Sequence, residues 1–159
     1  MEASLAGSHV DGITHRFTSD PPDTRLLQKL RHQRDVFGAR DVAGKILEFS
    51  RGSEDGLVTY LQIWDAFRKD PWKGNYSLKM VGNSLKRVAY YCLLNNLPFL
   101  NILVVQKGTR NLADKAVQNI YKNYRELGVD VGIDPHAFIK REIERCRSFQ
   151  NHKLPTEPS

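Results

Sequence analysis

Only two cysteines, Cys92 and Cys146, occur in the 159 residues, too few for a disulfide framework. No stretch reaches the roughly 18–20 consecutive apolar residues that a membrane-spanning helix needs, so no membrane partner is expected. The opening residues Met1–Val10 lack a basic start followed by an apolar run, which gives no sign of a signal peptide and makes a cytoplasmic location the expectation. His9, His15, His32, His136 and His152 are scattered, without a His or Cys pair at metal-ligand spacing, so neither a zinc site nor any other cofactor is expected. Glycine-rich phosphate loops and a nucleophile elbow are missing as well. Carboxylates are absent over one long interval: no Asp or Glu stands between Asp70 and Asp114. A metal-dependent nuclease, which needs clustered carboxylates, does not fit there, and the expectation is a protein that is not an enzyme.

What the chain does have is enough apolar material for a core, at 40% hydrophobic and 26% charged residues. Its 24 Lys and Arg against 18 Asp and Glu give a net charge of +6, a balance suited to an anionic partner. The excess is local. Residues 1–50 are neutral, residues 51–110 carry +5 and residues 111–159 carry +1.

The order of elements follows from spacing. Residues 1–22 form a Gly-, Ser- and His-containing arm, 23–149 a single domain, and 150–159 a proline-bearing frayed tail. Leu26, Leu27, Leu30 and Phe37 predict a helix closing near Gly38, and Val42, Ile46, Leu47 and Phe49 a second, stopped by Gly52. Leu57-Val58 reads as a short extended piece before Thr59, an N-cap, for a helix on Tyr60, Ile63, Trp64 and Phe67 that ends before Pro71. A longer helix spans about 76–95, with Leu78, Val81, Leu85, Val88, Ala89 and Cys92 on one stripe. Pro98 and Gly108 bound a β-branched run, Leu100–Val105, read as a strand. Val117, Ile120, Tyr121, Tyr124 and Leu127 mark a helix closed by Gly128. Asp134-Pro135 opens the last one, through Phe138, Ile139, Ile143 and Cys146. Both cysteines fall on apolar stripes and read as small buried hydrophobes. Glu142 and Glu144, among Lys140, Arg141, Arg145 and Arg147, read as a salt-bridged surface.

At about 100° per residue, Lys79, Asn83, Lys86, Arg87 and Tyr90 share an arc of roughly 100° on the 76–95 helix, opposite its apolar stripe. Cations for phosphates or guanine and an amide for adenine are the groups a DNA-recognition helix presents. A helix, a turn, a longer basic helix and a strand running into Lys107-Gly108-Thr109-Arg110 form the outline of a winged helix-turn-helix. The fold class expected is therefore mostly α with a small β element. Double-stranded DNA is the expected partner, contacted through Lys73, Lys79, Asn83, Lys86, Arg87, Tyr90 and the wing-like turn residues Lys107 and Arg110. Two alternatives stay open. The face is simply a solvated basic surface, or it grips an acidic protein (or a second copy of the chain) through Trp64, Trp72, Tyr76, Tyr90 and Tyr91.

The stretch Lys79-Met80-Val81-Gly82-Asn83-Ser84-Leu85, followed by Asn96-Leu97-Pro98 and an apolar run, resembles the DNA-binding half of the alkylguanine DNA alkyltransferases and the inactive alkyltransferase-like proteins. Those carry Arg-Ala-Val-Gly-x-Ala on the recognition helix and a Thr/Ser-Tyr pair at the start of the preceding one, echoed by Thr59-Tyr60. The resemblance covers about 50 residues. It implies a winged helix-turn-helix, with Lys79 at the place of the family's base-displacing arginine. Where the enzymes have Pro-Cys-His-Arg with its acceptor cysteine, this chain has Val104-Val105-Gln106-Lys107, so alkyl transfer is not expected.

Overall fold

In the computed structural model, residues 36–106, 114–149 and 154–155 are described. Among these residues five α-helices dominate, with one 3-10 turn and two very short strands. The helix expected before Gly38, the 1–22 arm and most of the tail lie outside the described residues.

Helix α1, Ala39–Arg51, turns Ala39, Val42, Ala43, Ile46, Leu47 and Ser50 into the core. Their 3- and 4-residue spacing is one helical face. Asp41 in the first turn and Arg51 in the last suit the helix dipole, and Gly52 ends the helix as expected. Strand β1 is Val58–Thr59. Thr59 then caps α2, Tyr60–Phe67, through a reciprocal capping box: its Oγ1 accepts from Gln62 N at 3.1 Å, and its own N–H donates to Gln62 Oε1 at 2.8 Å. Arg68 leaves the helix in an extended conformation, three residues before Pro71.

Gly74 starts α3, Asn75–Leu94, from φ +55 and ψ −128, a backbone state that other residues adopt only with strain. Asn96 at φ +55 and the bond from Leu97 N–H to Cys92 O, 2.8 Å, close the far end. Residues Leu100–Leu103 form a 3-10 turn, and strand β2 is Val104–Val105 alone. The strand expected over Leu100–Val105 is thus shortened to its last two residues. A strand would send alternate side chains to opposite faces. Leu100, Ile102 and Leu103 are instead all in the core, which a tight turn surrounded by α1, α3 and the last helix permits.

Strands β1 and β2 pair in parallel, Val58 with Val104 and Thr59 with Val105. Parallel neighbours need a crossover, supplied here by α2 and α3. Helix α4 is Asp114–Glu126, closed by Gly128 at φ +87 with Val129 N–H donating to Tyr124 O at 3.0 Å. Helix α5, Pro135–Ser148, begins where Asp134 accepts from the N–H groups of His136 and Ala137. Of the tail, Leu154 and Pro155 are described and both are tied to the domain. Arg40 donates to Leu154 O at 3.3 Å, and the Tyr91 hydroxyl donates to Pro155 O. No helix among the described residues is long and apolar enough to cross a membrane.

Candidate nucleic-acid interface

The connection from α2 to α3 is organised by Trp64, Arg68 and Asp70. Trp64 is fully buried, and its indole N–H donates to Asp70 O at 2.8 Å. The Arg68 guanidinium sits 4.7 Å from the Trp64 ring and grips both Asp70 carboxylate oxygens at 2.9 Å. Stacking and a bidentate fork are the two geometries that suit arginine. Trp72 meets the Trp64 ring edge-on at 6.0 Å, and Tyr76 at 6.2 Å. Lys73 Nζ reaches Asp70 at 3.1 Å, and Lys73 N–H donates to the buried Ser77 Oγ at 2.7 Å. Lys73 first and Arg68 second hold the Asp70 carboxyl below its ordinary range. One carboxylate thus serves two cations, and the Arg68–Asp70–Lys73 cluster keeps a net charge of +1.

Helix α3 has two distinct sides. Val81, Leu85, Val88 and Cys92 are buried against α1, α2 and the 3-10 turn, and Leu78 is half-buried. Ser84, also buried, accepts from Phe37 N–H at 2.9 Å and donates to Met80 O at 2.7 Å, so its polar atoms are satisfied. On the other side Lys79 and Lys86 are exposed. Neither has a carboxylate partner among the described residues, and α3 itself contains no acidic residue. Asn83 is half-buried between them. Arg87 is half-buried and engaged within the chain, and Tyr90 lies partly against the core. Seven residues apart, Lys79 and Lys86 differ by only about 20° in azimuth and about 10 Å along the axis. Lys107 and Arg110 lie outside the described residues. The pairing of Val105 with Thr59 puts the end of β2 beside the N-cap of α2.

Of the aromatic residues considered for a protein interface, Trp64 and Tyr91 are core residues at 0% and 1% exposure. Trp72 and Tyr90 are half-buried, and Tyr76 is 52% exposed.

Glu142, read from sequence as a surface residue, is 1% exposed. It accepts from Phe99 N–H at 3.4 Å and from Arg145 at 2.8 Å, and burial pushes its carboxyl above the ordinary range against the pull of Arg145. The clue lay in its spacing: residue 142 is four from both Phe138 and Cys146, both buried on α5. Cys92 and Cys146 are unpaired and buried. Burial pushes the Cys92 thiol up to about 12, so it stays protonated and a poor nucleophile near neutral pH. No group of three or more His, Cys, Asp or Glu among the described residues is arranged to hold a metal ion.

The chain matches no family model, no curated protein and no solved structure in the comparisons made.

Proposed function

We propose that this chain is a non-enzymatic DNA-binding domain of the winged helix-turn-helix type, serving as a regulator or as an accessory of defence or counter-defence. Helix α2 is the first helix of the motif and α3 the recognition helix. Lys79, Asn83, Lys86 and Arg87 contact duplex DNA, with Tyr90 at the edge, and Lys107 and Arg110, which follow β2 in the sequence, add a contact to a neighbouring phosphate. The observation that carries the reading is the solvent side of α3, where two exposed ammonium groups face outward with no carboxylate on the helix to oppose them. The residues shared with the alkyltransferase-like proteins support the same assignment for α3, without alkyl transfer. Lys73 adds to this face from the turn before α3, since it shares the one Asp70 carboxylate with Arg68 and the cluster stays net positive.

Most of such affinity comes from phosphate neutralisation and falls steeply with salt. An acidic protein held by aromatic anchors loses far less over the same range. Fluorescence anisotropy with labelled duplex DNA is the test, for wild type and for Lys86→Ala/Arg87→Ala at several salt concentrations. Weaker binding by a folded double variant is expected. Unchanged affinity discards the assignment.

A further inference from the structure

We infer that the head of α3 carries a stacking platform for an unpaired base, so that the preferred DNA is a duplex bordered by a short single-stranded stretch. This rests on the DNA-binding reading of α3 and deepens it. The platform is Tyr76. Its azimuth on the helix falls inside the arc that holds Lys79, Asn83, Lys86, Arg87 and Tyr90, and a phenol meets phosphate only through its hydroxyl, leaving the ring for other contacts.

An exposed aromatic ring on a surface is commonly mobile, but this one is held. The Trp64 ring meets it nearly perpendicular, at 84° and 6.2 Å between centroids. The Arg68 guanidinium stands 5.9 Å from its centroid while being locked to Asp70 through two bonds. The same tyrosine is 52% exposed while Arg68 stands over one side of its ring, so the side away from the guanidinium is the one left for stacking. Holding a flat apolar surface in place before a ligand arrives lowers the ordering cost of stacking. Within a duplex the base faces are already covered by their neighbours, and the ring would meet only sugar and phosphate. An unpaired base offers a free face. Aromatic side chains beside a cationic track are the arrangement that binds single strands, and Lys79 lies one helical turn along from Tyr76. The duplex then extends over Lys79 and Lys86, and the unpaired base lies at the Tyr76 end. No acidic side chain is available on α3 to repel the strand at that point.

The experiment is anisotropy with the full chain on a blunt duplex and on the same duplex with a short overhang at either strand end. One stacked base is worth a roughly 5- to 150-fold preference for the overhang. Tyr76→Leu is expected to bring the ratio of the two affinities toward one, and Tyr76→Trp, which keeps a plate, to preserve it. Lys86→Ala is expected to weaken both DNAs in parallel and leave the ratio alone. Because Tyr76→Leu also alters packing on Trp64, its unfolding midpoint is measured beside binding, and Tyr76→Trp supplies the independent check. Equal wild-type affinity for blunt and overhang DNA overturns the platform while leaving the duplex reading intact. So does a preference that survives Tyr76→Leu. Loss of all DNA binding by wild type overturns both.

Discussion

Replacing Lys79 and Lys86 together by alanine separates binding from folding most cleanly. Both side chains are exposed and make no ion pair among the described residues, so their loss is expected to change stability by no more than about 0.5 kcal/mol. Alanine is also the better helix former. The binding effect is large. Each phosphate contact contributes about 0.9 to the slope of log affinity against log salt. Losing two contacts reduces the slope by about 1.8, which at 0.1 M salt corresponds to about a 60-fold loss from counterion release alone. The deficit shrinks as salt rises, because each counterion released into a more concentrated solution gains less free energy. The assay is anisotropy on duplex DNA over a salt series, with urea unfolding of the same preparations as control. A folded double variant whose salt slope equals that of wild type refutes the assignment of these two ammonium groups to phosphates.

Three other substitutions probe the scaffold. Cys92→Ser puts a hydroxyl at a site with no solvent exposure and is expected to cost about 1–3 kcal/mol and several degrees in Tm, with DNA affinity unchanged in the folded fraction. A normal Tm with lost binding contradicts the core assignment. Trp64→Phe removes the donor to Asp70 O and some core volume, for an expected loss of about 1–3 kcal/mol by urea unfolding; a change below about 0.5 kcal/mol argues against the role given to that bond. Glu142→Gln tests the buried carboxylate. Its folded pKa lies above the ordinary 4.5, so the native state holds this proton more tightly than the unfolded chain. The associated stability is fully present below about pH 4.5 and is lost as pH rises through the folded value. Wild type should therefore lose stability relative to Glu142→Gln over that rise, since glutamine keeps the acceptor for Phe99 N–H and does not titrate. A stability difference independent of pH contradicts burial of the ionised group.

Much of the fold is legible in the sequence wherever a side chain's fate depends on its own helix. The 3.6-residue period locates α1, α2, α3 and α5. Thr59 with Gln62, Gly128, and Asp134 with Pro135 mark ends that need particular chemistry. The same period separates the two sides of α3, and hence Lys79 and Lys86 from Val81 and Val88. Features set by long-range packing are harder to read. Leu100–Val105 has the composition of a strand, but contacts with α1, α3 and α5 coil its first four residues. Glu142 is buried because Phe99 N–H and Arg145 meet it there. The apolar neighbours at i−4 and i+4 and Arg145 at i+3 are readable from the sequence, whereas Phe99 N–H, 43 residues away, is not. Lys73 stood beside Asp70 at a favourable i, i+3 spacing, a signal available in sequence that the carboxylate-free interval after Asp70 obscured. The fixed ring of Tyr76 depends on Trp64 and Arg68, twelve and eight residues away, and only the turn brings them together.

The claim that the solvent side of α3 meets DNA is tested most directly by a backbone-amide NMR titration of the isotopically labelled chain with duplex DNA. The account predicts that the largest shifts fall on residues 76–90 of α3 and on 106–110, with α5 little changed. Shifts concentrated on α4 and α5, or none at DNA concentrations that saturate the anisotropy signal, contradict it.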